Sequence, residues 1–191
     1  MINPKFFEQL REKHSRTEVE RRQIISRSNN ILHQAKRTIF SLHRQDAPRA
    51  RTSIEEMKKD LAELDKKFGH TRLAQEGAYK AAVEEFVEAA LFYEVLNKGK
   101  VKRIEKAKID HDSYIGGLCD LMGEMARLAT NEAAAGHNER VARLNELANQ
   151  LMEELVAFDL TGYLRTKFDQ AKSGLRKIEQ VNYDVRIREK E

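Results

Sequence analysis

The stretch Ala81–Leu96 leaves almost no polar side when wound into a helix. Ala82, Val83, Phe86, Val87, Ala89, Ala90, Leu91, Phe92 and Val95 spread around most of its circumference. Such a helix has to be enclosed by others, so the rest of the chain must supply amphipathic helices to surround it. Two glutamates, Glu85 and Glu88, interrupt this apolar surface. They are three residues apart and therefore share a face. A second stretch, Asp112–Leu128, repeats the pattern with Asp120 and Glu124 among Gly116, Gly117, Gly123 and apolar residues. The three glycines would let a neighbouring backbone or a substrate come close. Burying four unpaired carboxylates is costly and demands a compensating cation or large pKa shifts.

The remaining sequence reads as the required helices. From Phe6 to Arg44, Ile24, Ile31, Leu32, Ala35, Ile39 and Leu42 form an apolar stripe at helical spacing. Arg22, Ser26, Asn30, His33, Arg37 and Arg44 line another side, either as a solvated face or as a track for a phosphate backbone. Pro48 predicts a break across Asp46–Arg51. Thr52 with Glu55 reads as a capping box opening a helix that ends near Lys67, with Gly69 as its stop. The next helix is expected from Arg72 to Asn97, closed by Gly99. Within it Glu84 and Glu94 fall away from the Glu85–Glu88 face. Basic residues from Lys98 to Lys108, including Lys102, Arg103 and Lys106, form a connector or a second polyanion contact. Asp112 is the expected N-cap of the following helix, whose core stripe is Tyr114, Leu118, Leu121, Met125 and Leu128. Gly136 separates it from a helix over Asn138–Phe158. Thr161 opens a last helix to about Val185, with Leu164, Phe168, Ala171, Leu175, Ile178 and Val181 inside, before a charged tail, Arg186–Glu191. This is an all-α bundle of six or seven antiparallel helices, and 191 residues are read as one domain.

Charge is uneven along the chain. Residues 1–50 hold 11 Lys/Arg against 5 Asp/Glu, whereas residues 111–191 hold 11 against 14; the basic N-terminal portion is compatible with a polyanionic partner. Cys119 is the only cysteine, which excludes an intrachain disulfide. Asp120 beside it would raise its thiol pKa, so it reads as a packing residue. No apolar run approaches the ~20 residues that cross a bilayer, and no apolar signal core opens the chain; a cytoplasmic protein is expected.

Hard oxygen ligands favour Mg²⁺ or Mn²⁺. A carboxylate di-iron centre would require a Glu-x-x-His motif on each of two helices, and neither acidic stretch has the histidine. Serine-triad, phosphate-loop, CxxC and HExxH signatures are absent from the sequence. Spacing alone leaves two readings open: a metal–phosphate site, or four acids paired with Arg and Lys of neighbouring helices.

Several segments resemble the translin family, and within it the catalytic branch, translin-associated factor X. They are Lys36–Arg44 (KRTIFSLHR), Glu85–Ala89 (EFVEA), Asp112–Glu124 ending in DLMGE, and Lys177–Arg188 (KIEQVNYDVRIR). The resemblance runs from about Arg21 to Arg188. It implies a translin-like helical bundle that assembles into an oligomeric barrel, here a homo-oligomer and by family pattern an octamer. It also implies a Mg²⁺- or Mn²⁺-dependent endoribonuclease acting on single-stranded RNA, with single-stranded DNA as a further ligand. Glu85, Glu88 and Asp120 match the family's catalytic, metal-binding acids, and Glu124 joins them. Arg22, His33, Arg37 and Arg44, with Lys102 and Arg103, are the expected RNA contacts. The alternative is a non-catalytic, translin-like scaffold for RNA or single-stranded DNA.

Overall fold

The computed structural model describes residues 2–105 and 107–188. Seven helices account for the regular structure of these residues: α1 (Pro4–His43), α2 (Ala47–Phe68), α3 (His70–Leu73), α4 (Gly77–Lys98), α5 (His111–Ala134), α6 (Asn138–Val156) and α7 (Gly162–Arg188). The all-α bundle is as expected. The apolar helix α4 packs on α1, α2 and α5, while α5 also packs on α6 and α7. Phe86, Val87, Leu91 and Phe92 of α4 are fully buried in one continuous aliphatic core. At 40 residues, α1 is about 60 Å long. Its C-terminal half carries the predicted stripe, with Ile24, Ile31, Ala35, Ile39 and Leu42 buried and Leu32 half-buried.

Several element boundaries differ from expectation, each for a local reason. The expected break falls slightly earlier, at residues 44–46 between α1 and α2, and Pro48 lies in the first turn of α2, where a missing N–H costs nothing. Asp46 caps that helix by accepting from Arg49 N at 3.2 Å, so Thr52 is interior rather than a cap. The helix expected from Arg72 is split, because Glu76 is extended (φ −103°, ψ 115°) and α4 starts only at Gly77. Gly69 and Gly99 end their helices as predicted, Gly99 in the left-handed region at φ 60°. Asp110, not Asp112, caps α5: its carboxylate accepts from Ser113 N and Ser113 Oγ, both at 2.9 Å. On α5, Tyr114 and Leu118 are only half-buried, and Ile115, Cys119 and Met122 lie deeper. In α7, Leu164 and Leu175 are likewise half-buried, while the polar Asn182 is buried. Helix α6 ends at Val156, short of Phe158, and α7 continues through Arg186–Arg188 of the tail. Lys106 and residues 189–191 of the predicted basic connector and tail lie outside the described residues.

Gly116 and Gly117 set the spacing between the two acidic helices. A Cβ at Gly117 would lie 2.6 Å from Val87 Cβ and 2.9 Å from the Glu84 carbonyl oxygen; one at Gly116 would lie 2.9 Å from Glu84 Cδ. Only glycine allows this approach. Gly123 differs from expectation, since a Cβ there meets nothing within 4 Å.

Candidate carboxylate site

The close α4–α5 approach brings the two acidic pairs together. Glu88 is 8% exposed and lies within the electrostatic reach of Asp120, Glu85 and Glu124. Burial first, then the charges of those three acids, pushes its pKa up to about 8, against a smaller opposing effect of Lys167. No hydrogen bond or ion pair reaches Glu88 from the other described residues. Burial also raises Glu85, although Lys36 partly offsets it.

The other three acids have basic side chains as partners. Lys36 of α1 stands 3.4 Å from Glu85. His43 Nε2, two helical turns further along the same face of α1, contacts Glu124; its ring packs on Phe92 at 4.8 Å. Arg127 is a more distant neighbour of Glu124 at 4.0 Å. Lys167 of α7 donates to Asp120. The same ammonium lies 3.2 Å from Glu84, which also accepts from Tyr163 Oη at 2.8 Å.

Thus Glu85, Glu88, Asp120 and Glu124 share one groove walled by α1, α4, α5 and α7. Glu84, expected away from the Glu85–Glu88 face, is instead joined to the groove: it lies four residues from Glu88, a spacing that shares a helix face, is 8% exposed, and meets Lys167 together with Asp120. Glu94 is ion-paired to Lys98 and Lys102 at 3.2 and 3.6 Å. Sequence reasoning did not single out Lys36, His43, Tyr163 or Lys167. A signal for the first two was present: seven residues apart in KRTIFSLHR, they must share a helix face. Nothing local in the sequence assigned Lys167 to Asp120. Cys119 is 2% exposed, and burial together with Asp120 raises its pKa to about 11, in keeping with a packing role.

As a donor set, four mutually repelling carboxylates with one proton-seeking member suit a hard divalent cation. As the side chains stand, no three His, Cys, Asp or Glu among the described residues are gathered to ligate one ion, and three of the acids are engaged by Lys36, His43 and Lys167. The chemistry of the donor set fits Mg²⁺ or Mn²⁺; the present rotamers favour internal pairing.

Of the expected RNA contacts, Arg22, His33, Arg37 and Arg44 are all exposed along α1. Arg37 and Arg44 each follow a groove residue, Lys36 and His43, by one position, about 100° around the helix. Lys102 and Arg103 are exposed beyond the end of α4 and line a 380 Å³ cavity with Arg51, Lys58 and Tyr93. They do not adjoin the carboxylate groove in sequence or through any hydrogen bond or ion pair among the described residues. No helix among the described residues is long and apolar enough to cross a membrane.

Comparison with known proteins follows the same outline. The chain superposes on the crystal structure of apo-NeC3PO with a TM-score of 0.83 and 21% identity, covering 97% of this chain and 99% of that one. It superposes on the AfC3PO–duplex RNA complex with a TM-score of 0.83 and 17% identity, covering 95% and 96%. At these identities the likeness is one of fold. In sequence, an 81-residue stretch is 36% identical to Translin of Gallus gallus and 31% identical to Translin of Homo sapiens. That stretch is 42% of this chain but only 35% and 36% of those proteins, so the match spans about a third of their length. The family model for the Translin family, by contrast, matches residues 19–189, from the middle of α1 to the end of α7, and the chain belongs to the Translin family.

Proposed function

We propose that the protein is a Mg²⁺- or Mn²⁺-dependent endoribonuclease for single-stranded RNA, nearer in activity to the translin-associated factor X branch than to Translin. The observation that carries this reading is Glu88, buried beside three other acids and without a cation of its own. A purely structural acid in that place would be unfavourable.

In this reading Glu85, Glu88, Asp120 and Glu124 hold the cation. When bound, the metal supplies charge stabilisation at a phosphoryl oxygen and a more acidic water. The protein's own residues do the rest. One of the four carboxylates would accept a proton from that water; in the metal-free protein burial and like charge raise the pKa of Glu88, which makes it the acid that a divalent cation relieves most. Lys36 and His43 orient Glu85 and Glu124 through the pairs described. Arg22, His33, Arg37 and Arg44 track phosphates beside the groove without reading bases, and Lys102 and Arg103 add a distal contact. The likeness in fold to AfC3PO, which was solved in complex with duplex RNA, supports a nucleic-acid ligand. Exposed Phe6, Phe7 and Leu10 on α1 and Tyr183 and Ile187 on α7 support self-association into a homo-oligomer, read by family pattern as an octamer; light scattering tests that count.

The deciding experiment is a cleavage time course on labelled single-stranded RNA with Mn²⁺ or with EDTA, run on the wild type and Glu88→Ala. The expected loss in Glu88→Ala is at least ~100-fold. Mn²⁺-dependent cleavage that persists in Glu88→Ala sinks the site. The alternative reading, a non-catalytic scaffold for RNA or single-stranded DNA, draws on the three acids already paired with Lys36, His43 and Lys167. A gel shift without cleavage would favour it.

A further inference from the structure

Lys167 differs from the other cations at the groove. Its side chain is only 16% exposed. It donates to Asp120, lies 3.2 Å from Glu84, and sits 5.3 Å from the centre of the Tyr163 ring. Glu84 is itself fixed, because Tyr163 Oη donates to it and its carboxyl end abuts Gly116. Lys36, by comparison, is 58% exposed and can leave Glu85 for water. Lys167 has no such freedom; its contacts are two acids and an aromatic face.

We propose that Lys167 is a resident counter-ion of the carboxylate groove, orienting Asp120 and competing with a divalent cation for it, while Glu84 and Tyr163 form the berth that keeps the ammonium once Asp120 is released. The inference rests on the reading of Glu85, Glu88, Asp120 and Glu124 as a divalent-cation site. Its physical basis is simple. An ammonium and a divalent cation meet the same electrostatic need, and they repel each other at one carboxylate. A buried cation cannot be stranded without large cost. Glu84 and the Tyr163 ring remove that cost, through an ion pair and a cation–π contact, so Asp120 can exchange partners without unfolding the site. Glu84 thereby acquires a role although it is outside the expected ligand set. Lys167 is a positioning residue, acting through Asp120.

The test is Mn²⁺ titration by calorimetry on the full chain, without RNA, for the wild type, Lys167→Met and Lys167→Arg. Lys167→Met is expected to bind Mn²⁺ about tenfold more tightly than the wild type, and Lys167→Arg, which keeps the charge, to stay close to it. Binding by Lys167→Met where the wild type binds none also supports the proposal. Equal or weaker binding by Lys167→Met overturns the proposal and leaves the metal reading intact. Absence of binding by both overturns the two together. If Lys167→Met does not fold, the wild type decides the question by amine acetylation read by mass spectrometry. Lys167 should be labelled severalfold faster at saturating Mn²⁺ than without it; an unchanged rate overturns the proposal.

Discussion

Glu88 and Glu132 are buried to nearly the same degree, 8% and 7% exposed, on the two helices at the heart of the bundle. Their surroundings could hardly differ more. Glu132, near the end of α5, accepts from His137 at 2.6 Å and from Arg140 at 3.3 Å, both supplied just after the left-handed turn at Gly136. Glu88, in the middle of α4, faces three other acids and has no cation of its own. Burial of an acid is therefore a poor marker of function, because a local partner can make it an ordinary structural element. What distinguishes the groove is burial combined with like charge.

That comparison can be broken most directly by the same substitution at both sites. Glu88→Gln keeps the shape and removes the charge. The folded-state pKa of Glu88 is raised from 4.5 to about 8, so the fold holds a proton that the unfolded chain has lost across that window. Its contribution to stability is accordingly full below about pH 4.5 and is lost as pH rises toward 8. In EDTA, Glu88→Gln should match the wild type near pH 4.5 and exceed it by roughly 2–4 kcal/mol at pH 8 and above. Urea unfolding at a series of pH values measures this; a difference that does not grow with pH contradicts the isolation of Glu88.

A second test acts on the geometry that creates the repulsion. Gly117→Ala would place a methyl group 2.6 Å from Val87 Cβ, forcing α4 and α5 apart. The expected cost is about 1–3 kcal/mol in thermal or urea unfolding. Widening the groove should also separate Glu88 from Asp120 and Glu124, so the pH dependence of stability should flatten. Gly123→Ala, which meets nothing within 4 Å, is the control and should be close to neutral or slightly stabilising.

How much of this was legible in the sequence follows from the range of each interaction. The all-round apolar character of α4 required a bundle, and helical spacing placed Glu85 with Glu88 and Asp120 with Glu124. Those are local regularities. Caps are less legible, because Pro48 suits both a break and a first helical turn, and Asp110 competes with Asp112 for the same role. The partners of the acids are the hardest part. Lys167 lies 47 residues from Asp120, and no periodicity within one helix can encode a contact between two. Spacing alone leaves metal binding and internal ion pairing as rival accounts of the four acids. The structure divides them: three are ion-paired, and Glu88 is the one that pairing does not explain.

The smallest expected effect comes from the structural member of the comparison. Glu132→Gln removes the charge that holds His137 and Arg140, whose side chains are 50% and 59% exposed. Both partners can turn to water, so neither is stranded, and the loss is that of a charge-assisted hydrogen-bond pair rather than of a buried ion. The expected destabilisation is about 1 kcal/mol at pH 7, opposite in sign to Glu88→Gln under the same conditions. Mn²⁺-dependent RNA cleavage should be unchanged, since the partners of Glu132 are His137 and Arg140 rather than any groove residue. If Glu132→Gln stabilised the fold as Glu88→Gln is expected to, burial alone would explain both acids, and the case for a distinct carboxylate site would lose its main physical support.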